Sequence, residues 1–211
     1  MDLLWYRRNK VIFYAIEVLE EGKLATLAIH LANDVQHAYT TVGNVKKKVG
    51  TFIDKQVKRM PPNSPFFKLN TDGYVLQNGR AACGGIIRDS NENFIACFSA
   101  NLAYGTITVA ELWGVFLGVD LVLTLGLESL HIEVDSLAAV KLCSQEGIEC
   151  HSLKAIVLAI KDRCGKLCNW NLNHQYREAN SCADGLANFG HSLMETTRAQ
   201  RMDFGTGEWR D

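Results

Sequence analysis

The sequence is short of prolines, of paired cysteines, of net charge and of long apolar runs, and each shortage removes a class of protein. There are three prolines in 211 residues, and all of them fall between positions 61 and 65. A low-complexity or collagen-like chain is excluded, and those few residues read as a single linker. Seven cysteines, an odd number, are scattered without framework spacing, and no apolar leader precedes them. That argues against a secreted disulfide scaffold and for a reducing compartment, the nucleus or cytoplasm. No stretch approaches the roughly 18 consecutive apolar residues of a membrane span, and the opening Leu3-Leu4-Trp5-Tyr6 is cut short by Arg7-Arg8-Asn9-Lys10. A formal net charge of −1 excludes a polycation, so affinity for nucleic acid has to come from a local patch.

What is present is enough apolar material, 47% of the residues, for one sizeable core with an appendage. The spacing over 11–41 predicts two helices broken near Gly22. Lys46, Lys47, Lys48, Lys55, Lys58 and Arg59 follow, with Asp54 the acid among them, as a solvated face or a phosphate-contacting patch. The expected organisation is a helical and basic segment over 1–60 with a linker to about 65, a domain over 66–195, and a C-terminal tail over 196–211. A shorter form of a longer polypeptide is compatible with the unpartnered apolar faces of the first segment.

After the prolines the pattern changes to short alternating runs over 66–76, 82–89 and 94–102. They are separated by the hairpin signal Asn78-Gly79 and the polar turn Ser90-Asn91-Glu92-Asn93, so three antiparallel strands are expected. Helical spacing over 109–125, a buried strand over 130–134 and a helix capped by Ser136 come next. A helix over 153–164, a strand over 170–176 and a helix over 180–194 complete an α/β domain in the order βββαβααβα. It is a five-stranded mixed sheet with helices on both faces.

Alternation in the first strand points Phe67, Leu69 and Thr71 one way and Lys68, Asn70 and Asp72 the other. Asp72 is a strand carboxylate that wants a partner, or a turn residue preparing Gly73. Three further acids sit among apolar neighbours: Glu111 in the first turn of the long helix, Asp135 at the end of the fourth strand, and Asp184 early in the last helix. Each alone has a plain structural explanation, as a helix-dipole partner or a residue beside a cap. Together, four carboxylates among apolar residues demand cations. A zinc site from Cys143, Cys150, His151, Cys164 and Cys168 lacks a compact Cys-x₂-Cys pair, and a triad on Ser136 lacks elbow glycines.

In this order, Asn70-Thr71-Asp72-Gly73, Ala110-Glu111-Leu112, Glu133-Val134-Asp135-Ser136 and Arg177-Glu178-Ala179-Asn180 with Ala183-Asp184-Gly185-Leu186-Ala187 resemble the type 1 ribonuclease H family. More closely they resemble the plant ribonuclease-H-like domains of non-LTR retrotransposon reverse transcriptases, over roughly residues 66–195. The resemblance implies a ribonuclease-H-like fold and an endonuclease that hydrolyses the RNA strand of RNA–DNA hybrids by a two-metal-ion mechanism. Asp72, Glu111, Asp135 and Asp184 would be its catalytic and metal-binding residues. Two Mg²⁺ ions, replaceable by Mn²⁺, would be held with Asp72 bridging. Asn70, Gly73 and Arg177 are the expected substrate contacts, and His174 is either a proton shuttle or a structural histidine. The connection from Asp135 to Asp184 leaves no room for the extra basic helix and loop of many relatives, and Tyr74 stands where a small residue is usual. The expected partner is a nucleic acid, the RNA–DNA hybrid, with no membrane and a monomeric chain. The competing reading is a domain that keeps the fold, has lost cleavage, and binds nucleic acid or a protein.

Overall fold

A computed structural model describes residues 60–145, 152–193 and 197–200. The segments expected to hold the N-terminal helices and the basic run, over 1–59, and the last residues of the expected tail, 201–211, lie outside the described residues. The domain begins with three antiparallel strands, β1 (Phe67–Val75), β2 (Arg80–Arg88) and β3 (Phe94–Tyr104). Gly79 takes a φ of 82° in the β1–β2 turn, a conformation that favours glycine and explains the strength of the Asn78-Gly79 signal. Helix α1 (Ile107–Thr124) follows, then β4 (Ser129–Val134), α2 (Leu137–Ser144), α3 (Lys154–Cys164), β5 (Asn169–His174) and α4 (Ser181–Phe189). Thr106 and Ser136 accept from the amides of Val109 and Ala139, at 3.4 and 3.2 Å, and so cap α1 and α2.

The expected order of elements is present, with three differences. A further strand, β6 (Thr197–Gln200), pairs antiparallel with β3, so the sheet has six strands in the order β5-β4-β1-β2-β3-β6 and runs on into the segment expected to be a tail. A four-residue strand is too short to show a period, which is why the sequence hides it. Helix α4 stops at Phe189 and turns into a short 3₁₀ segment, Gly190–Ser192, rather than continuing to about 194. Glu111 lies in the second turn of α1 and not the first, because the helix begins at Ile107. At that depth the helix dipole gives it no reason to be there.

Parallel β4 lies against β1 over Phe67–Thr71 only, and the last matched rung is Thr71 with Val134. Beyond it the two strands part. Leu69, Leu130 and Ile132 face α1 and α3 in a core that also holds Phe98, Leu112, Val115, Leu117 and Ile160. By length and composition α1 would pass for a membrane span, with a mean hydropathy of 1.7. Its sequence is broken by Glu111 and Asp120, and 67% of it is buried inside the domain; it is the central core helix. The opposite face of β1, β2 and β3 takes α4. Gly84 permits the approach, since a Cβ there would stand 2.4 Å from the amide nitrogen of Ala187, and Ser99 Oγ donates to the Leu186 carbonyl at 2.6 Å.

Candidate metal centre

Asp72 and Asp135 are the residues immediately after the last rung that joins β1 to β4. Both carboxylates therefore emerge where the parallel strands separate, the kind of crevice at strand ends where open α/β sheets bind ligands. Glu111 reaches the same point from α1. One carboxylate oxygen from each of Asp72, Glu111 and Asp135 lies within 4.8 Å of the other two. Asp184 comes from the first turn of α4, and its carboxyl meets that of Asp72. The structure thus brings together all four acids that the sequence singled out.

The surroundings are poor in compensation. Asp72 is 2% exposed and Glu111 4%. Asp72 Oδ1 accepts from the Gly73 amide at 2.8 Å, but no donor reaches Asp72 Oδ2 or Glu111 Oε2. What those oxygens face is other carboxylates. Burial, then the charges of Asp135 and Asp184, pushes Asp72 up to about 8. Burial, then Asp72 and Asp135, pushes Glu111 up to about 10. Orphaned carboxylate oxygens that crowd one another lack a positive charge, and hard oxygen donors in such number suit a divalent ion of the Mg²⁺, Mn²⁺ or Ca²⁺ kind. Among the described residues this is the group of acids, histidines or cysteines with that geometry.

A pH dependence follows from the two raised values. Each carboxyl still holds a proton in the folded metal-free chain when the unfolded chain has released it. Stability therefore falls as pH rises, from 3.8 to about 8 for Asp72 and from 4.5 to about 10 for Glu111. Thermal melts in EDTA are expected to show a lower melting temperature at pH 9 than at pH 6, with the fall largely removed by millimolar Mg²⁺. A metal-free melting temperature that climbed across that interval would contradict the burial and crowding of these acids.

The remaining expected contacts are placed less simply. Arg177 is exposed on a 3₁₀ turn, its Nη2 3.3 Å from Asp184 Oδ1, so it stands at the rim of the cluster. His174 ends β5 with an exposed ring whose Nε2 lies 3.2 Å from the Asp135 carbonyl oxygen; it is beside the cluster and is not a core histidine. Asn70, in contrast, is 1% exposed and donates to Glu133 Oε2 at 3.0 Å. Gly73 is buried against α1, where a Cβ would stand 2.5 Å from the Glu111 amide nitrogen. As they stand, neither offers a surface to a substrate. Alternation assigns Asn70 its face correctly, but cannot show that the neighbouring strand fills that face with a carboxylate.

Asn180 enters the sequence reading only within the run Arg177–Asn180, with no role assigned to it. Its position before α4 suggests a helix cap, yet its side chain makes no cap bond. It crosses instead to β1, where Nδ2 donates to the Thr71 carbonyl at 2.9 Å, beside the rung at which β4 ends. This bond holds the start of α4, and with it Asp184, against Asp72. Asn180→Ala removes this buried bond and is expected to cost about 1 kcal/mol in unfolding free energy. Denaturant titration checks it, and an unchanged midpoint would mean that the bond holds nothing.

A family model described as reverse transcriptase-like matches residues 70–190. A protein of Arabidopsis thaliana that carries the name ribonuclease H is 32% identical over 142 residues, 67% of this chain and 23% of that protein. The chain therefore spans about a quarter of that relative's length, the matched 23%. Among solved structures, the N-terminal ribonuclease H domain of a Mycobacterium tuberculosis protein superposes with a TM-score of 0.57 at 22% identity, covering 60% of this chain and 94% of that one. Ribonuclease H1 of Halobacterium salinarum gives 0.56 at 20% identity over 60% and 98%. A ribonuclease H1 solved in complex with an RNA/DNA hybrid gives 0.54 at 24% identity over 58% and 94%. These likenesses show a ribonuclease-H-like fold.

Proposed function

The chain belongs to the reverse transcriptase-like family of ribonuclease-H-type domains, and from that premise we propose that it hydrolyses the RNA strand of RNA–DNA hybrids with two divalent cations, Mg²⁺ first among them. The observation that carries this reading is the meeting of Asp72, Glu111 and Asp135 within 4.8 Å, with Asp184 against Asp72 and with buried carboxylate oxygens that no donor satisfies. Bound there, the cations would supply an activated water on one side of the scissile phosphate and charge stabilisation for the leaving oxygen on the other.

The chain's own residues have separable tasks in this reading. Asp72 would be shared between the cations, because it is the acid that both Asp184 and the Glu111–Asp135 pair adjoin. Glu111 and Asp135 would help to hold one cation and Asp184 the other. Arg177 attracts a substrate phosphate at the rim. His174 takes or returns a proton in solvent beside Asp135, its tautomer set by the Asp135 carbonyl, which favours a proton on Nε2. The hybrid is read through its shape and its 2′-hydroxyls. The test is incubation of the purified chain with a hybrid labelled on either strand, in EDTA and in Mg²⁺. RNA-strand cleavage in Mg²⁺ alone is expected; cleavage of the DNA strand, or none in Mg²⁺ or Mn²⁺ at any protein concentration, would overturn the reading.

A further inference from the structure

One rung before β1 and β4 part, the two strands are tied by a polar network that the proposed chemistry does not use. Glu133 stands opposite Asn70 in the parallel register. Its Oε1 pairs with Lys68 Nζ at 2.6 Å, in a pair whose side chains are only 5% and 13% exposed. Its Oε2 accepts from Asn70 Nδ2 at 3.0 Å and from Gln175 Nε2 at 3.3 Å. Lys68 Nζ also donates to the Met60 carbonyl, and the Gln175 amide donates to the Val134 carbonyl at 2.8 Å. One carboxylate thus collects donors from β1 and from the residue after β5, while its own backbone lies two residues from Asp135. Asn70 lies two residues from Asp72.

A buried ion pair is a poor way to gain stability, because desolvation offsets most of the attraction and apolar residues of similar size do as well or better. On the other face of the same strands that apolar solution is used, with Leu69 opposite Ile132. What the ionic solution adds is direction. Charge-assisted bonds at these lengths are satisfied in one register and at one strand separation, whereas apolar contacts tolerate sliding.

We infer that the Lys68–Glu133–Asn70–Gln175 network is the positioning device of the carboxylate cluster, fixing the spacing of β1 and β4 immediately before Asp72 and Asp135 leave them. The inference rests on the metal-dependent reading above, and it assigns the four residues no contact with substrate. Outer partners of this kind commonly govern metal affinity although they touch no ion.

The test is the double substitution Lys68→Met with Glu133→Leu, measured by melting in EDTA and by the Mg²⁺ concentration that gives half of the metal-induced stabilisation. The metal-free melting temperature is expected to stay within a few degrees of the parent, while the Mg²⁺ midpoint rises about tenfold or more. In cleavage assays at one fixed Mg²⁺ concentration, kcat should fall with little change in KM for the hybrid. Asp120→Asn serves as control. It breaks the 3.0 Å pair with Arg163 between α1 and α3, and it lies nine residues beyond Glu111 along α1, about 13 Å away. It should lower stability and leave the Mg²⁺ midpoint unchanged.

A parent that responds to Mg²⁺ and a double variant with the same midpoint would overturn the inference alone. A parent with no Mg²⁺ response would overturn the metal reading first and this inference with it. Should the double variant not fold, Gln175→Leu decides, since it removes one donor to Glu133 and leaves the ion pair. A raised midpoint supports the positioning role and an unchanged one rejects it.

Discussion

Asp72→Asn is expected to abolish cleavage and at the same time to make the metal-free protein more stable. The two effects have one cause. Asp72 is buried at the centre of a group of acids, so in the absence of cations it must either take up a proton that the unfolded chain has released or face like charges with little solvent to screen them, and both cost stability. Asparagine keeps the shape, keeps an oxygen to accept from the Gly73 amide, and replaces an orphaned oxygen by a donor aimed at neighbouring carboxylates. The metal-free melting temperature should rise by about 3 °C or more, the response of a domain of this size to relief of roughly 1 kcal/mol. Mg²⁺ should then stabilise the parent more than the variant, because ligand binding shifts the folding equilibrium only as far as affinity allows. Cleavage should fall by about a thousandfold or more, the scale on which groups that act as one unit fail together. If the variant melted lower in EDTA and kept the parent's Mg²⁺ response, Asp72 would be a turn-forming residue.

Gly73→Ala should do the opposite to stability. The added methyl would stand 2.5 Å from the Glu111 amide nitrogen and 2.7 Å from the Ala110 carbonyl carbon. Both are backbone atoms in a core helix and cannot be moved by changing a rotamer. Either α1 lifts from β1 or the strand bends, and the expected cost is about 3 kcal/mol, near 10 °C in melting temperature. Whichever gives way, Glu111 moves from Asp72, so the metal-induced stabilisation should shrink along with the melting temperature. Melting in EDTA and in Mg²⁺ separates these effects from those of Asp72→Asn, which leaves the packing intact. A Gly73→Ala protein as stable as the parent would mean that α1 does not lie as close to β1 as the structure has it.

Much of this site is legible in the amino-acid sequence. Alternation in β1 sets Asp72 apart from the core-facing Leu69 and Thr71, and the end of β4 puts Asp135 outside the ladder, both because a strand has a period of two. The convergence of the four acids is readable only from their order and family resemblance, since no local pattern reports that Glu111 and Asp184 arrive from helices on opposite faces of the sheet. The depth of Glu111 within α1 exceeds the expected one by two residues, because the helix begins at Ile107, behind its cap Thr106 and ahead of the apolar run from Val109 that announces it. Asn180 and Glu133 are invisible as positioning residues for a common reason. Their partners, the Thr71 carbonyl and the Lys68 and Asn70 side chains, are fixed by which strands lie side by side, and that is a property of topology.

The measurement that bears most directly on the central claim is the chemistry of the ends produced from a hybrid labelled on its RNA strand. Metal-assisted attack of water on the scissile phosphate, with the 3′ oxygen as leaving group, would give a 3′-hydroxyl and a 5′-phosphate, and this cleavage should appear with Mg²⁺, disappear in EDTA and be lost in Asp72→Asn. RNA ends carrying a 2′,3′-cyclic phosphate, or cleavage that persists in EDTA or in Asp72→Asn, would show that the four carboxylates are not the catalytic centre.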